Sequence, residues 1–339
     1  MKIALDAMGG DRAPGVILEG ALAAQEEIGA DTSIVLVGKQ DAIVSGLARL
    51  GASSSGLEIV DAKDVVAMDE QPSATLRRKK ESSIAVGLRL QSEGKAQGFV
   101  SAGNTGAVVA NALVILGRIK GVDRPAIATY VPTRGGGCIL LDVGASIDPK
   151  PSQLVQFAIM GSCFAISVLG RREPRVGLLN IGEESSKGTE VMQEAHRMLK
   201  TSGLNFVGNV EGRDIFAGAV DVTVCDGFVG NILLKFTESV VDMVYGVMKQ
   251  SLTANTRAKL GALLLRPAFR RLREAFDYAE YGGAPLLGVD GICTICHGSS
   301  SPRAIKNAVL ATRRYINYDI TSAIKERLNL GGNNVEETA

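Results

Sequence analysis

GFVSAGNTGAVVANALVIL, residues 98–116, carries the strongest indication of fold class in this chain. Its first residues predict the end of a β-strand, a polar loop with two glycines follows, and an apolar helix begins at Asn104. The same order of strand, loop and helix recurs from residue 2 onward, at about 30 residues per unit. Such alternation is typical of a mostly parallel sheet with helices on its faces, so the sequence predicts an α/β fold.

The rest of the chain extends this pattern with two additions. Residues 126–131 and 138–143 are β-rich runs separated by a turn that contains Pro and Gly, which predicts a β-hairpin inserted in the sheet. Residues 256–281 place apolar side chains on one helical face before Pro267 and on another face after it. We therefore predict a single large α/β domain over residues 1–330, with a protruding amphipathic helical hairpin at 256–281, and a frayed tail at 331–339.

The composition excludes several classes of protein. The chain has 37 Lys and Arg against 36 Asp and Glu, and only 4% aromatic residues, whereas nucleic-acid-binding surfaces are basic and often carry aromatic platforms. We therefore expect no nucleic-acid partner. The odd number of cysteines, five, and the lack of a signal-peptide pattern predict a cytoplasmic protein with free thiols. The apolar segment 154–169 is too short and too polar to predict a membrane span.

Two short segments are far more basic than the chain as a whole. Residues 257–276 contain six basic residues and one acidic residue, and residues 77–80 are Arg-Arg-Lys-Lys. The first segment combines this charge with Leu and Phe, which is typical of a helix lying on an anionic membrane. Contact with an acidic partner protein, or packing on a second subunit, is the alternative. The second segment is either a docking strip for an acidic partner or an ordinary solvated face.

Common cofactor motifs are absent or incomplete. The sequence has no G-x-G-x-x-G and no G-x-S-x-G, and in GEESSKGT, residues 182–189, the lysine precedes the second glycine, so the phosphate-loop pattern fails. CTICH at 293–297 matches a haem-attachment string, but its small apolar neighbours predict a strand. Two cysteines and one histidine are too few for a structural zinc site. We therefore expect neither a metal nor a cofactor.

Six polar, glycine-containing clusters follow predicted strands, at residues 6–11, 101–107, 142–145, 180–188, 225–231 and 297–301. Ligands of open α/β sheets bind at the carboxyl ends of strands, so the clusters predict one shared cleft. Asn104 and Thr105 open a helix whose first N–H groups can bind an anion, although Asn104 can also be a simple N-cap. Lys187 is a candidate phosphate ligand or a solvated lysine. His297 is a candidate site residue, whereas His196 is predicted on the surface of a helix.

These clusters occur together, and in this order, in one known family. DAMGGD, SAGNTGA, DVGA, N-x-G-E-E…K-G, CDGFVGN, GGAPLLG and HGSS closely resemble the PlsX family of phosphate acyltransferases over nearly the whole chain. The resemblance implies a three-layer αβα fold, like those of isopropylmalate dehydrogenases and phosphate acetyltransferases. It implies a homodimeric enzyme, without metal or nucleotide, that transfers a long-chain fatty acyl group from acyl carrier protein to inorganic phosphate. It also implies peripheral association with the inner face of the cell membrane and hand-over of the acyl phosphate to a membrane glycerol-3-phosphate acyltransferase.

Acyl transfer from a thioester to phosphate makes specific demands on a site. Phosphate is itself the nucleophile, so the site must hold it, stabilise the tetrahedral oxyanion and help the sulfur leave. We assign phosphate to Lys187 and to the helix start at Asn104 and Thr105. The oxyanion is assigned to Asn231 and the N–H groups of residues 227–230, and His297 orients phosphate or protonates the sulfur. Asp226 and Glu183 position these groups. The further predicted substrate-binding residues are Asp6, Gly9, Gly10, Asn180, Gly227, Gly230 and Ser299.

Another mechanism and other functions are alternatives to this assignment. A covalent route through Cys225 would need a thiolate, which the neighbouring carboxylate of Asp226 disfavours. A short-chain phosphate acetyltransferase that uses acyl-CoA is the nearest alternative function. An oxidoreductase would need a nicotinamide site, and a membrane scaffold would not need the polar clusters. The predicted membrane or carrier contacts are Leu260, Leu264, Arg266, Phe269, Arg270, Arg271, Phe276, Arg77 and Arg78.

Overall fold

The computed structural model describes residues 1–52, 57–276 and 282–332, without the side chains of residues 270–276 and 330–332. Within these ranges strands and helices alternate as predicted. The strands are β1 (Lys2–Asp6), β2 (Ser33–Gly38), β3 (Glu58–Asp61), β4 (Gly98–Ser101), β5 (Ala126–Val131), β6 (Cys138–Leu141), β7 (Val176–Leu179), β8 (Phe206–Val210), β9 (Val222–Val224), β10 (Ala284–Leu287) and β11 (Cys293–Ile295). The helices are α1 (Gly15–Glu27), α2 (Gln40–Arg49), α3 (Pro72–Arg78), α4 (Ser83–Ser92), α5 (Thr105–Ile115), α6 (Pro151–Leu169), α7 (Glu190–Lys200), α8 (Gly212–Ala217), α9 (Gly227–Thr253), α10 (Thr256–Phe276), α11 (Pro302–Asn317) and α12 (Ile320–Gly332).

The described strands form one mixed sheet in the order β3-β2-β1-β4-β11-β10-β5-β6-β9-β7-β8. The first five strands of this order run parallel to one another, and so do the last four. Between these two sets, the pairings of β11 with β10, β10 with β5, and β5 with β6 are all antiparallel. Because three reversals separate them, the two parallel sets run in opposite directions. The predicted inserted hairpin is confirmed as β5 and β6.

Helices cover both faces of this sheet. One face buries a continuous apolar core under α4, α5 and α9. On the other face, α1, α2 and α11 cover the first parallel set, and α6, α7 and α12 cover the second. Successive side chains of a strand point to opposite faces of the sheet. In β4, Phe99 packs under α4 and α5 on one face, and Val100 belongs to the core on the other face. The predicted three-layer αβα architecture is confirmed.

Helix α6 is the one helix in the described ranges that is long and apolar enough to cross a membrane. More than half of that segment is buried inside the protein. Its side chains Phe157 and Met160 are fully buried, and the helix packs on β6, β9, α7 and α12. Contact with the sheet and two helices therefore explains its apolar composition.

Helices α9 and α10 pack against each other and form the amphipathic hairpin. The sequence predicted both arms within residues 256–281, with a break at Pro267, and this is corrected: α10 continues through Pro267, and its partner is α9. A proline removes the hydrogen bond to the carbonyl four residues earlier. That residue, Leu263, is 63% exposed, so water can satisfy its carbonyl and the helix can continue.

The ends of two predicted segments fall outside the described part of the chain. Residues 277–281, the end of the predicted hairpin, lie outside the described residues. Helix α12 extends to Gly332, so the first two residues of the predicted frayed tail are helical. The remaining tail residues, 333–339, lie outside the described residues.

Candidate functional site

The six polar clusters lie in two loop groups. Loop group 1 follows β1, β4 and β11, and loop group 2 follows β6, β7 and β9. The two sets of strands run in opposite directions, but a sheet twists by about 20–25° per strand, or roughly 100–125° over the five steps from β4 to β9. A twist of this size offsets part of the reversal in direction between the two sets of strands, so a single cleft is compatible with the strand order. That all six clusters share one cleft stays a prediction.

Asp6, at the end of β1, holds loop group 1 together. Its side chain is 1% exposed, and its carboxylate accepts hydrogen bonds from Ser101 Oγ (2.7 Å) and from the Met8 N–H (3.0 Å). Ser101 Oγ in turn accepts from the Gly103 N–H at 3.0 Å. Burial raises the pKa of Asp6, while hydrogen bonds from Ser83 and Ser101 act in the opposite direction. The predicted substrate contact is corrected, because this buried carboxylate supports the loops from below.

Gly9 and Gly10 allow the three loops of this group to approach closely. A Cβ at Gly9 would lie 2.6 Å from the nitrogen of Gly103. Gly10 has a φ of +105°, and a Cβ there would meet the Gly298 carbonyl at 3.0 Å. The next N–H, of Asp11, donates to that same carbonyl at 2.9 Å. These predicted substrate-binding glycines therefore have a packing role in the structure.

Asn104 is the N-cap of α5. Its Oδ1 accepts from the Ala107 N–H at 2.9 Å, and its Nδ2 donates to the carbonyls of Met68 (2.8 Å) and Glu70 (3.0 Å). The capping alternative is therefore the observed role, and the side chain is already engaged at both amide atoms. Among the described residues, the first two N–H groups of α5, starting at Thr105, have no acceptor. These two donors can still bind an anion.

His297 lies exposed after β11, beside Ser299. The Ser299 N–H donates to His297 Nδ1 at 3.2 Å, and Ser299 Oγ lies 2.7 Å from the same nitrogen. A backbone N–H can only donate, so Nδ1 accepts, and the proton of the neutral imidazole is on Nε2. Ser299, a predicted substrate contact, thus orients the imidazole.

Helix α9 connects the two loop groups. It begins in loop group 2, and Glu238, three turns later, interacts electrostatically with His297 of loop group 1. Burial raises the pKa of Glu238, and His297 counteracts this rise. Sequence reasoning missed Glu238, because a glutamate within a predicted helix belongs to no motif. Only its electrostatic interaction with His297 in the folded protein identifies it.

Asp142, at the end of β6, has in loop group 2 the role of Asp6 in loop group 1. Its side chain is fully buried, and its carboxylate accepts from the N–H groups of Ile127 (2.8 Å), Gly144 (3.1 Å) and Ser146 (2.6 Å). Burial raises its pKa, and the backbone hydrogen bonds lower it. The sequence pointed to its cluster but not to this residue. The available signal was an Asp directly after a buried strand, followed by Gly, as at Asp6.

The N–H groups at the start of α9 are occupied, which corrects the predicted oxyanion hole. Asp226 is the N-cap, and its Oδ1 accepts from the N–H groups of residues 228 (3.0 Å) and 229 (2.8 Å). The Gly227 N–H donates to the Ser146 carbonyl at 2.8 Å, and the Gly230 N–H donates to the Asp226 carbonyl at 2.9 Å. All four groups are satisfied within the protein. They are not available to an oxyanion.

The first turn of α9 packs directly on the Asp142 segment. A Cβ at Gly227 would lie 2.7 Å from Asp142 Oδ2, and one at Gly230 would overlap the Asp142 carbonyl oxygen. Both glycines are therefore packing residues. Asn231 comes next, half-buried beside Gly144, and its amide has no hydrogen-bond partner among the described residues. Asn231 is thus the donor at this helix start that can still contact a substrate.

Lys187 lies in the exposed loop 180–188 after β7. Asn180 Oδ1 accepts from the Ile181 N–H (2.8 Å), and its Nδ2 donates to the Lys187 carbonyl (3.1 Å), so this predicted substrate contact closes the loop. In the part of the chain that the structure describes, no carboxylate pairs with the Lys187 ammonium. Glu183 is exposed and lies 3.6 Å from Arg213, a solvated ion pair of little energetic weight, and its positioning role stays a prediction.

His196 is buried, not on the surface as predicted. Its side chain is 4% exposed, Nδ1 lies 2.9 Å from Asn209 Oδ1, and the ring packs edge-on against Phe206 with centroids 5.2 Å apart. The neighbouring Arg197 and Lys200 suggested a solvated helix face. In the fold, however, His196 lies on the side of α7 that packs against β8.

The two predicted contact surfaces differ in character. Arg77 and Arg78 are exposed at the end of α3, which packs beside the first turn of α5, since Pro72 lies 2.6 Å from where a Gly106 Cβ would be. On α10, Leu260 and Leu264 are 63% and 76% exposed, Arg266 is also exposed, and Phe269 is half-buried. The side chains of Arg270, Arg271 and Phe276 lie outside the described residues.

The cysteines and possible metal ligands give no separate reactive centre. All five cysteines are buried. Burial raises the pKa of Cys225 well above its usual value, as do Asp226 and Asp142, which disfavours the thiolate that a covalent route needs. The described ranges contain no group of three His, Cys, Asp or Glu side chains that could hold a metal ion.

Three comparisons relate this chain to known proteins. A family described as "fatty acid synthesis protein" matches residues 1–323. The chain is 54% identical to a phosphate acyltransferase of Heliobacterium modesticaldum (97% of this chain, 98% of that one) and 50% identical to one of Desulfitobacterium hafniense (97% of each). The structure is similar to that of a phosphotransacetylase from Streptococcus pyogenes, with a TM-score of 0.63 at 18% identity over 94% of both chains. The predicted phosphate acetyltransferase-like fold is confirmed.

Proposed function

The chain belongs to the fatty acid synthesis protein family, and from this membership and the geometry of the two loop groups we propose that it transfers an acyl group from a thioester to inorganic phosphate. Full-length similarity to proteins named phosphate acyltransferase is the observation that carries this proposal. The ammonium of Lys187 and the amide of Asn231 have no partner in the described ranges, which is consistent with an anionic substrate at loop group 2. The product is an acyl phosphate.

In the proposed mechanism, phosphate attacks the thioester carbonyl directly. Lys187 holds the phosphate as a point charge, with the first N–H groups of α5 as further donors from loop group 1. Asn231 stabilises the tetrahedral oxyanion, because the neighbouring N–H groups are already used. As the carbon–sulfur bond breaks, the sulfur leaves as a thiolate, and His297 stabilises it with a hydrogen bond from Nε2, the nitrogen that carries the proton in the neutral ring. The thiolate is then protonated by solvent.

Lys187→Ala tests this mechanism. We expect turnover to fall by at least about a hundredfold, because the phosphate loses its cation, while the fold is retained since the side chain is exposed. Acyl phosphate formation from palmitoyl carrier protein and phosphate is the measurement. Lys200→Ala, an exposed lysine of α7 away from the loop, is the matched control. Near wild-type turnover in Lys187→Ala would contradict the assignment.

The proposed acyl donor is a long-chain acyl group on acyl carrier protein, an acidic partner. The exposed Arg77 and Arg78 lie on α3, beside the α5 helix start, so a carrier bound there is close to loop group 1. Replacing both with Glu is expected to raise KM for the acyl carrier about tenfold and to leave KM for acyl-CoA unchanged. Arg49→Glu, at the end of α2, is the control. Preference for acetyl-CoA over every acyl carrier would instead support the phosphate acetyltransferase alternative.

We assign α9 to a homodimer and α10 to transient membrane contact. Exposed apolar residues follow helical spacing along α9, including Ile232, Phe236 and Met243, and a contiguous exposed apolar stripe is typical of a protein–protein interface. On α10, exposed leucines accompany basic residues, as in helices that lie on anionic membranes. The proposed location is the cytoplasm at the inner membrane face, where acyl phosphate passes to a membrane glycerol-3-phosphate acyltransferase.

Two measurements separate these surfaces. Phe236→Asp is expected to convert a dimer to a monomer in analytical ultracentrifugation without loss of vesicle binding. Leu260→Asp with Leu264→Asp is expected to abolish salt-sensitive binding to phosphatidylglycerol vesicles without change of mass. If the α10 variant bound vesicles normally, the membrane assignment would fail. A monomeric wild type would remove the dimer assignment.

A further inference from the structure

A series of hydrogen bonds connects a buried histidine in the core of the protein to the Lys187 loop. His196 Nδ1, on α7, lies 2.9 Å from Asn209 Oδ1, and Asn209 Nδ2 donates to the Glu184 carbonyl at 2.8 Å. The Lys187 N–H donates to that same carbonyl at 3.1 Å. His196 and Asn209 are both buried, at 4% and 5% exposure. A core histidine is thus two hydrogen bonds from the carbonyl that fixes the Lys187 turn.

The donor and the acceptor of each hydrogen bond between His196, Asn209 and the Glu184 carbonyl can be determined. A backbone carbonyl only accepts, so Asn209 must present its Nδ2 to Glu184 and its Oδ1 to His196. His196 must therefore donate from Nδ1. In the neutral ring this leaves Nε2 as a lone pair, and Nε2 is buried without a hydrogen-bond partner among the described residues. Within the described ranges the imidazole makes one hydrogen bond, through Nδ1, and that bond leads to the loop.

The rest of the loop depends on few side chains. Asn180 Nδ2 donates to the Lys187 carbonyl at 3.1 Å, and Gln193 Nε2 donates to the Ser186 carbonyl at 2.8 Å. These two bonds are solvent-exposed, whereas the Asn209 bond to the Glu184 carbonyl is partly buried, as is a longer bond from Gln193 Nε2 to the Gly188 carbonyl (3.3 Å). An exposed bond competes with water and constrains a loop weakly, whereas leaving the buried Asn209 amide unsatisfied is costly. The His196–Asn209 pair therefore constrains the position of Lys187 from the buried side of the loop.

We propose that His196 is a positioning residue: through Asn209 and the Glu184 carbonyl it holds the Lys187 turn in the geometry that binds phosphate. This inference rests on the proposed role of Lys187. His196 lies outside all six glycine-containing clusters, and it supports the loop from its buried side.

His196→Phe tests the inference, since it keeps the ring volume and the contact with Phe206 but removes the Nδ1 donor. We expect KM for phosphate to rise about five- to tenfold, with KM for the acyl donor and kcat little changed. His196→Asn is expected to restore KM, because its Nδ2 takes the position of Nδ1. Leu199→Val, a fully buried change on the same helix, is the matched control and should lower Tm without changing KM for phosphate.

Two further readouts make the test independent of activity. Nitrogen NMR of the wild type should show His196 as the Nδ1–H tautomer. Hydrogen exchange of the Lys187 amide should be faster in His196→Phe than in Leu199→Val, because its acceptor is released. Unchanged exchange and unchanged KM for phosphate in His196→Phe would overturn the inference. If exchange increases but Lys187→Ala leaves phosphate binding intact, the coupling holds and the proposed function of Lys187 fails.

Discussion

Replacing Gly230 with Ala tests the packing of α9 on the end of β6. A Cβ at this position would overlap the Asp142 carbonyl oxygen and lie 2.9 Å from Cys225 Sγ and 3.0 Å from the Asp142 carbonyl carbon. Ordinary contact begins at about 3.4 Å, and the obstructing group is backbone that cannot rotate away. The start of α9 must therefore retreat by on the order of 1 Å, and overpacking of this kind costs about 3 kcal/mol.

The consequences for stability and activity follow from this displacement. For a chain of 339 residues, about 3 kcal/mol corresponds to a fall in Tm of roughly 4 °C. Asn231 is the next residue, so it moves with the helix, and a misplacement of about 1 Å can lower kcat about a hundredfold. Calorimetry and acyl phosphate formation measure the two effects on the same preparation.

Gly246 provides the matched control within the same helix. A Cβ there meets nothing within 4 Å, and Ala is favoured over Gly inside a helix by about 1 kcal/mol. Gly246→Ala is therefore expected to raise Tm by about 1.4 °C and to keep full activity. If Gly230→Ala had the wild-type Tm and kcat, the packing of α9 on Asp142 and the placement of Asn231 would both be refuted.

Three further predictions concern buried or capping groups. Cys225→Ser is expected to keep activity within about threefold, since the buried thiol is not a nucleophile; a trapped acyl group on Cys225 in mass spectrometry would refute this. Asp226→Ala is expected to lower stability by about 1–2 kcal/mol, and Asp226→Asn much less, because Asn also caps helices; equal losses in urea unfolding would contradict the capping role. The pKa of Asp6 is raised above its usual 3.8, so the folded state binds this proton more tightly than the unfolded state. The difference in free energy of unfolding between the wild type and Asp6→Asn should therefore shift in favour of the wild type as pH falls from 7 toward 4. Urea titrations at several pH values measure this difference, and a value independent of pH would contradict the prediction.

Much of the fold could be predicted from the sequence, because its signals are local. Strand and helix periods can be recognised from neighbouring residues, and this was enough for β1, β4, α5 and the inserted hairpin. The predicted break at Pro267 was wrong, because the rule that proline ends a helix considers only neighbouring residues. An exposed helix such as α10 tolerates the lost hydrogen bond. The polar clusters were also recognised locally, as glycine and polar residues after apolar runs.

The roles within the site were predicted less well, because they depend on partners that lie far apart in the chain. Asp6 is a predicted substrate contact, and Asn104 is predicted as either a substrate contact or an N-cap. In the structure Asp6 binds Ser101, and the Asn104 amide caps α5 and binds the carbonyls of residues 68 and 70. A polar side chain after a strand has the same sequence signature whether it faces a ligand or a neighbouring loop. Only the positions of its hydrogen-bond partners distinguish the two.

The sequence alone determined the α/β class, the approximate position of nearly every strand and the polar loops that follow the strands, since each depends on residues within one helical turn or strand. The tertiary structure decided the strand order, and with it three direction reversals that divide the clusters into two loop groups. It also decided that the N–H groups at the start of α9 are occupied while Lys187 and Asn231 remain available. Occupancy of a donor or acceptor depends on which distant group lies within 3 Å, and only the packed chain fixes that distance.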